Sequence, residues 1–201
     1  MKKVLSIALA LCMVFALAAC GGGDAVSSPS PNYDGSTPSD LMPSSNPTPT
    51  PDPESITTLE VNGIHIVNNG QITGTGYRGF TYADGTLTID AVSLNLEGQT
   101  PVINFAGGDL EIIVTGECAL STSGGVAVIT GGEGDNLTIS GDGSLTISAT
   151  DATAIDVSGS VTIACAVNVT GADACSSENV TAGQGFSITA NDGATLTVAA
   201  A

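Results

Sequence analysis

Asn136-Leu-Thr-Ile-Ser-Gly-Asp-Gly-Ser-Leu-Thr-Ile147 holds two copies of one short pattern, joined by Gly141-Asp142-Gly143. In extended backbone the side chains alternate, so Leu137 and Ile139 point to one face and Thr138 to the other. Leu145 and Ile147 stand in the same relation to Thr146. Glycines around an aspartate supply the positive-φ corner between the copies. Working outward, the first copy recurs as Thr86-Leu-Thr-Ile-Asp90, Asp109-Leu-Glu-Ile-Ile113, Ser160-Val-Thr-Ile-Ala164 and Gly185-Phe-Ser-Ile-Thr189. Its apolar positions Leu87, Leu110, Leu137, Val161 and Phe186 are 23, 27, 24 and 25 residues apart. A second strand follows each at Leu94, Leu120, Leu145, Val167 and Leu196, spaced 26, 25, 22 and 29. A third is legible at Ile103, Val128 and Ile155 or Val157, and more weakly at Val180.

Three strands returning once per roughly 25 residues are the mark of a stacked coil. The expected fold is all-β, a single-stranded right-handed parallel β-helix (solenoid) of about five to six coils across residues 57–201, with an irregular lead-in from Leu59 to Tyr82. A β-sandwich is the alternative. At a rise of about 4.8 Å per coil, Leu87, Leu110, Leu137, Val161 and Phe186 form one interior ladder. Thr88, Glu111, Thr138, Thr162 and Ser187 form the matching outward stripe. Aliphatic ladders need few aromatic rings, which fits a chain with no Trp. The C-terminal Thr195-Leu-Thr-Val-Ala-Ala-Ala201 shows no polar cap, so its last coil is expected to be exposed or to pair with another chain.

Ahead of the domain, Lys2 and Lys3 precede an uncharged apolar run from Val4 to Ala19, the layout of a secretory signal and short for a bilayer-spanning helix. Leu17-Ala18-Ala19-Cys20 resembles the lipobox of bacterial lipoproteins. That resemblance implies removal of residues 1–19 and a diacylglyceryl-modified Cys20 that anchors the chain on the extracytoplasmic face of the membrane. Residues 20–56 then read as a tether: eight of the nine prolines lie between Pro29 and Pro53. Such a segment cannot bury enough apolar surface to fold, and fully extended it reaches on the order of 100 Å.

Charge narrows the partners. The full chain carries 3 Lys+Arg against 20 Asp+Glu, a net −17. Loss of Lys2 and Lys3 with the signal leaves Arg78 alone, so the mature side chains sum to 1 − 20 = −19. A nucleic-acid partner is excluded, since binding it requires a basic footprint. The same charge argues against adsorption to anionic lipid, so membrane attachment must be covalent or hydrophobic.

The cadence of Thr86-Leu-Thr-Ile, Gly108-Asp-Leu-Glu-Ile and Asn136-Leu-Thr-Ile-Ser-Gly-Asp-Gly-Ser-Leu-Thr-Ile resembles the carbohydrate-binding β-helix domains of bacterial surface lipoproteins, related in fold to polysaccharide lyases. Over roughly residues 80–170 the resemblance implies binding to acidic or cellulosic polysaccharide, in some members with calcium. Lyases of that fold use a Lys or Arg base, and the mature chain offers only Arg78, outside the regular coils. Hydrolases of similar fold cluster several carboxylates with a His and a basic residue; here no adjacent acid pair occurs and His65 is alone. No catalytic residue is assigned, and the domain reads as non-enzymatic.

Two ligand sites are expected. Tyr77, Arg78, Phe80 and Tyr82 gather the aromatic rings that stack on sugars with the only mature cation, although Phe80 and Tyr82 serve equally to plug the open end of a solenoid. Asp135, Asp142, Asp151 and Asp156, with Glu133 and Asp173 nearby, are corner acids that offer oxygen ligands to calcium or stand solvated in turns. Among the remaining thiols, Cys165 and Cys175 either close a loop within one coil or, with Cys118, fill the interior as small residues. The expected function is a lipid-anchored surface protein that binds extracellular polysaccharide; the alternative is a structural or adhesive spacer contacting protein or cell wall.

Overall fold

Apolar and polar residues alternate in the folded chain as they do in the sequence. In Thr86–Asp90 Leu87 and Ile89 are buried, and in Leu137–Ala149 Leu137, Ile139, Leu145 and Ile147 are buried. The computed structural model describes residues 56–201, which contain no helix. The expected signal, Cys20 and the expected tether up to residue 55 lie outside the described residues. Ile56, placed in the tether by the sequence reading, is 3% exposed and packed in the core. The folded domain therefore begins no later than Ile56.

The lead-in is a set of short antiparallel strands: β1 (Thr58–Val61), β2 (Ile64–Asn68), β3 (Gln71–Ile72), β4 (Gly76–Tyr77) and β5 (Phe80–Ala83). Asn62-Gly63, Asn69-Gly70 and Asp84-Gly85 each take positive φ at both residues, which a two-residue hairpin turn needs and which Asn-Gly and Asp-Gly supply. The first coil follows as β6 (Thr86–Asp90), β7 (Ser93–Leu96) and β8 (Ile103–Ala106). The second is β9 (Leu110–Thr115), β10 (Glu117–Thr122) and β11 (Ile129–Gly131). The third comprises β12 (Leu137–Ala149), which runs through its first corner unbroken, and β13 (Thr153–Asp156). Then come β14 (Val161–Thr170), β15 (Asp173–Cys175) and β16 (Val180–Ala182), before a terminal pair, β17 (Phe186–Asn191) and β18 (Thr195–Ala200).

Parallel pairing stacks β6, β9, β12, β14 and β16 on one face, and β8, β11, β13 and β15 on another. Between them, β7 and β10 continue into the second halves of β12 and β14. The result is a β-solenoid of about three turns, which corrects the expectation of five to six coils. Phe186 and Leu196, counted as a further coil, belong to an antiparallel hairpin, and β18 also runs antiparallel to β14 with Leu196 opposite Val169. The lead-in is antiparallel too, β1 against β8 and β5 against β6. Apolar alternation looks the same in either strand direction, so the repeat over-counts the turns.

Register is corrected as well. Leu137 faces Leu110 and Val161 as expected, but Leu87 faces Ile112, and Val161 faces Val180 rather than Phe186. A slip of two residues keeps every side chain on its own face, whereas a slip of one would reverse it. The pattern therefore specifies inside and outside without choosing between Leu110 and Ile112. The outward stripe moves with it, to Thr86, Glu111, Thr138, Thr162 and Thr181. Thr86 Oγ1 donates to Glu111 Oε2 at 3.4 Å, and the Thr162 and Thr181 hydroxyls lie 3.2 Å apart.

At the corner inside β12, Gly141 has φ 125° and passes directly over the carbonyl of Val114, leaving no room for a Cβ. At the C-terminal end the hairpin covers part of the last coil, and β17 stands as the edge strand of its sheet. Gly171 N–H donates to the carbonyl of Ala194 at 3.1 Å and Ala174 N–H to that of Gly193 at 2.6 Å, so the hairpin turn lies across the edge of the last coil. These bonds satisfy backbone groups of Gly171 and Ala174 at the edge of the last coil.

Candidate functional site

The residues singled out from sequence scatter once folded. Phe80 is 1% exposed and Tyr82 7%, both in the core at the N-terminal end, and burial pushes the Tyr82 hydroxyl up from its ordinary pKa. Their rings plug the solenoid and do not offer a stacking face. Tyr77 is half-buried, with its hydroxyl accepting from Asn62 Nδ2 at 3.1 Å. Arg78, exposed and with φ 42°, places its guanidinium 5.6 Å from the Tyr77 ring centroid and borders a cleft of about 260 Å3.

The corner acids occupy different corners. Asp135, between β11 and β12, is nearly buried and accepts the Gly107 N–H at 2.8 Å, pinning two coils together. Asp142 sits in the corner inside β12, and Asp151, with φ 60°, in the corner before β13. Asp156 lies on the outer side of β13. Steps of five to nine residues carry successive acids round the coil from one face to the next. Among the described residues no three His, Cys, Asp or Glu side chains gather to hold a metal.

Cys118, Cys165 and Cys175 are free thiols. Cys165 is on β14 and Cys175 opposite Ile155 on the next face, so each fills interior space without a bridge. Burial, then the neighbouring Cys118, pushes the Cys165 thiol from 9.0 up to about 11.

What the fold does bring together is a polar row on the outer side of β1, β8, β11 and β13. Glu60 pairs with Asn104, Asn104 with Thr130 and Thr130 with Asp156. Asn104 Nδ2 donates to Glu60 Oε2 at 2.9 Å, leaving the Asn104 Oδ1 outside that bond. His65 Nδ1 lies 3.1 Å from Glu60 Oε1 at the far end of the row. At the other end Ser176 Oγ donates to Asp156 Oδ1 at 2.9 Å. Hydrogen bonds at both ends hold the row in place, while its middle faces solvent.

Beside the row runs a groove of about 590 Å3, lined by Asn104, Thr130, Thr153 and Asp156 on one side and Pro101, Gly125, Val126 and Ala127 on the other. It is larger than the cleft beside Arg78 and the one of about 270 Å3 beside Tyr82. Unequal connections create it. Residues 97–102 and 123–128 form long links into β8 and β11, whereas only 150–152 and 171–172 precede β13 and β15. The long links stack as a wall: Gly124 lies against the Gly98 carbonyl so closely that no Cβ fits. The wall ends where the links shorten, and there Thr153 and Asp156 are left open.

The sequence reading found Asp156 and missed Asn104, Thr130 and Thr153. A signal was present, for Ile103, Ile129 and Ile155 recur at 26-residue steps, each buried and each followed by Asn, Thr or Asp. Choosing Val128 in place of Ile129, both fully buried, shifted the register by one and hid the outward row.

Compared with protein-family models, curated proteins and solved structures, the chain finds no match.

Proposed function

We propose that the chain is a bacterial surface lipoprotein, held on the extracytoplasmic face of the membrane through lipid on Cys20, that binds extracellular polysaccharide without chemistry. The observation that carries the reading is the groove and its stacked row Asn104, Thr130, Asp156. The coil, taken as right-handed like almost all parallel crossovers, repeats these polar groups about every 4.8 Å. That step is close to the advance of a hexose in an extended glycan, so successive sugars meet an amide, a hydroxyl and a carboxylate at equivalent positions of successive coils. Pro101, Val126 and Ala127 offer an apolar wall to the C–H face of a sugar ring.

The non-enzymatic reading rests on the side chains that line the groove. They include one carboxylate, Asp156, and no Lys, Arg or His to serve as its partner in acid–base work. A glycan array probed with the full chain tests the proposal. Asn104→Leu with Thr130→Val should abolish the signal, and Tyr77→Ala should leave it unchanged. A flat array supports the structural or adhesive spacer instead. Membrane attachment has its own test: Cys20→Ala should move the chain from the membrane to the soluble fraction, and retention in the membrane counts against the lipid anchor.

A further inference from the structure

The groove carries negative charge at one end only. Asp156 lines it directly, and Asp173 stands one coil beyond Thr153 in the same column. The Cys175 backbone N–H donates to Asp173 Oδ1 at 3.4 Å and the adjacent Ser176 Oγ donates to Asp156 Oδ1 at 2.9 Å, so consecutive residues of one segment hold both carboxylates. Burial raises the pKa of the half-buried Cys175 thiol first, the Ser177 backbone opposes it, and Asp173 and Asp156 raise it further. The two acids thus share a patch. Glu60, at the opposite end of the row and bonded to His65 and Asn104, is not among the groove-lining residues. Arg78, the only Lys or Arg among the described residues, borders a different cleft. The middle of the groove, Asn104, Thr130 and Thr153, is neutral and hydrogen-bonding.

We infer that the groove selects glycans bearing free amines, with Asp156 and Asp173 accepting the ammonium groups while Asn104, Thr130 and Thr153 contact neutral hydroxyls. This rests on the groove being the glycan site. A uronate polymer would set its carboxylates against Asp156 and Asp173 on a chain that is already strongly acidic, with no cation among the groove-lining residues to compensate. An amine-bearing sugar meets the opposite sign at the end of the groove and hydroxyl partners along it. Exposed pairs of this kind are individually weak, so two of them shape preference more than total affinity.

Titration calorimetry of the full chain with a glucosamine hexasaccharide, its N-acetylated counterpart and a glucose hexasaccharide tests this. Mildly acidic pH keeps the sugar amines protonated. The amine-bearing oligomer should bind tighter than the other two by on the order of ten-fold, and the margin should shrink with added salt. Asp156→Asn and Asp173→Asn should each reduce the margin, and together remove it while glucose hexasaccharide still binds. Asn retains the acceptor for Ser176, and an unchanged circular dichroism spectrum verifies folding. Equal affinity for all three sugars, or a margin that survives both substitutions, overturns the charge selection and leaves the glycan groove standing. Binding of an oligolysine as tight as the glucosamine oligomer overturns it in favour of a basic peptide. Failure of every sugar to bind overturns the selection together with the groove reading.

Discussion

Thr130 stands in register with Asp156 on the next coil, and the isoleucines beside them, Ile129 and Ile155, are paired beneath on the buried side. One strand pair thus sets both the interior packing and the outer polar row. Any substitution that disturbs the ladder should disturb the groove above it. Ile129 also pairs with Ile103, so it is in contact with a coil on each side.

Ile129→Ala should cost about 2–5 kcal/mol, the range for deleting a fully buried branched side chain. In a domain of this size that lowers Tm by on the order of 10 °C. Thermal unfolding followed by circular dichroism measures it, and a shift of only a degree or two would show that the ladder does not carry the packing described.

Backbone approach separates two glycines that composition alone treats alike. Gly193 has φ 88° with open space around it, so Gly193→Ala should cost about 1 kcal/mol from backbone strain alone. Gly141 combines φ 125° with the Val114 carbonyl in the position a Cβ would take. Gly141→Ala should therefore cost clearly more than Gly193→Ala in denaturant unfolding; equal costs would contradict the tight corner.

The fold was legible where alternation and spacing act together. Leu137, Leu110 and Val161 form a ladder because each copy of the pattern places an aliphatic residue at the same point of a parallel strand. Strand direction was not legible, since Phe186-Ser-Ile-Thr189 reads the same whether it continues the coil or folds back as a hairpin. The first hairpins carried their own signal in Asn62-Gly63, Asn69-Gly70 and Asp84-Gly85, turn pairs that the wider repeat obscured. Loop length defines the groove, and loop length leaves no apolar pattern. Phe80 and Tyr82 are buried in the core, a role their residue types share with sugar stacking, so residue type alone does not separate the two.

Cys165 predicts a pH dependence. Its folded pKa is raised, so the folded state keeps the neutral thiol where the unfolded chain ionises. Stability is unaffected below the ordinary thiol pKa of 9.0 and is lost as pH rises from there through about 11. Chemical denaturation at stepped alkaline pH should show this decline, and Cys165→Ala should make it shallower. An identical slope in the variant would assign the decline to other groups.

Where a glycan touches the chain decides between the groove and the aromatic cluster. Hydrogen–deuterium exchange of the full chain, with and without an oligosaccharide drawn from the array hits, maps that contact. Protection concentrated at residues 101–104, 125–130 and 152–156 is the predicted result. Protection centred on residues 76–82, with the groove unchanged, would contradict it.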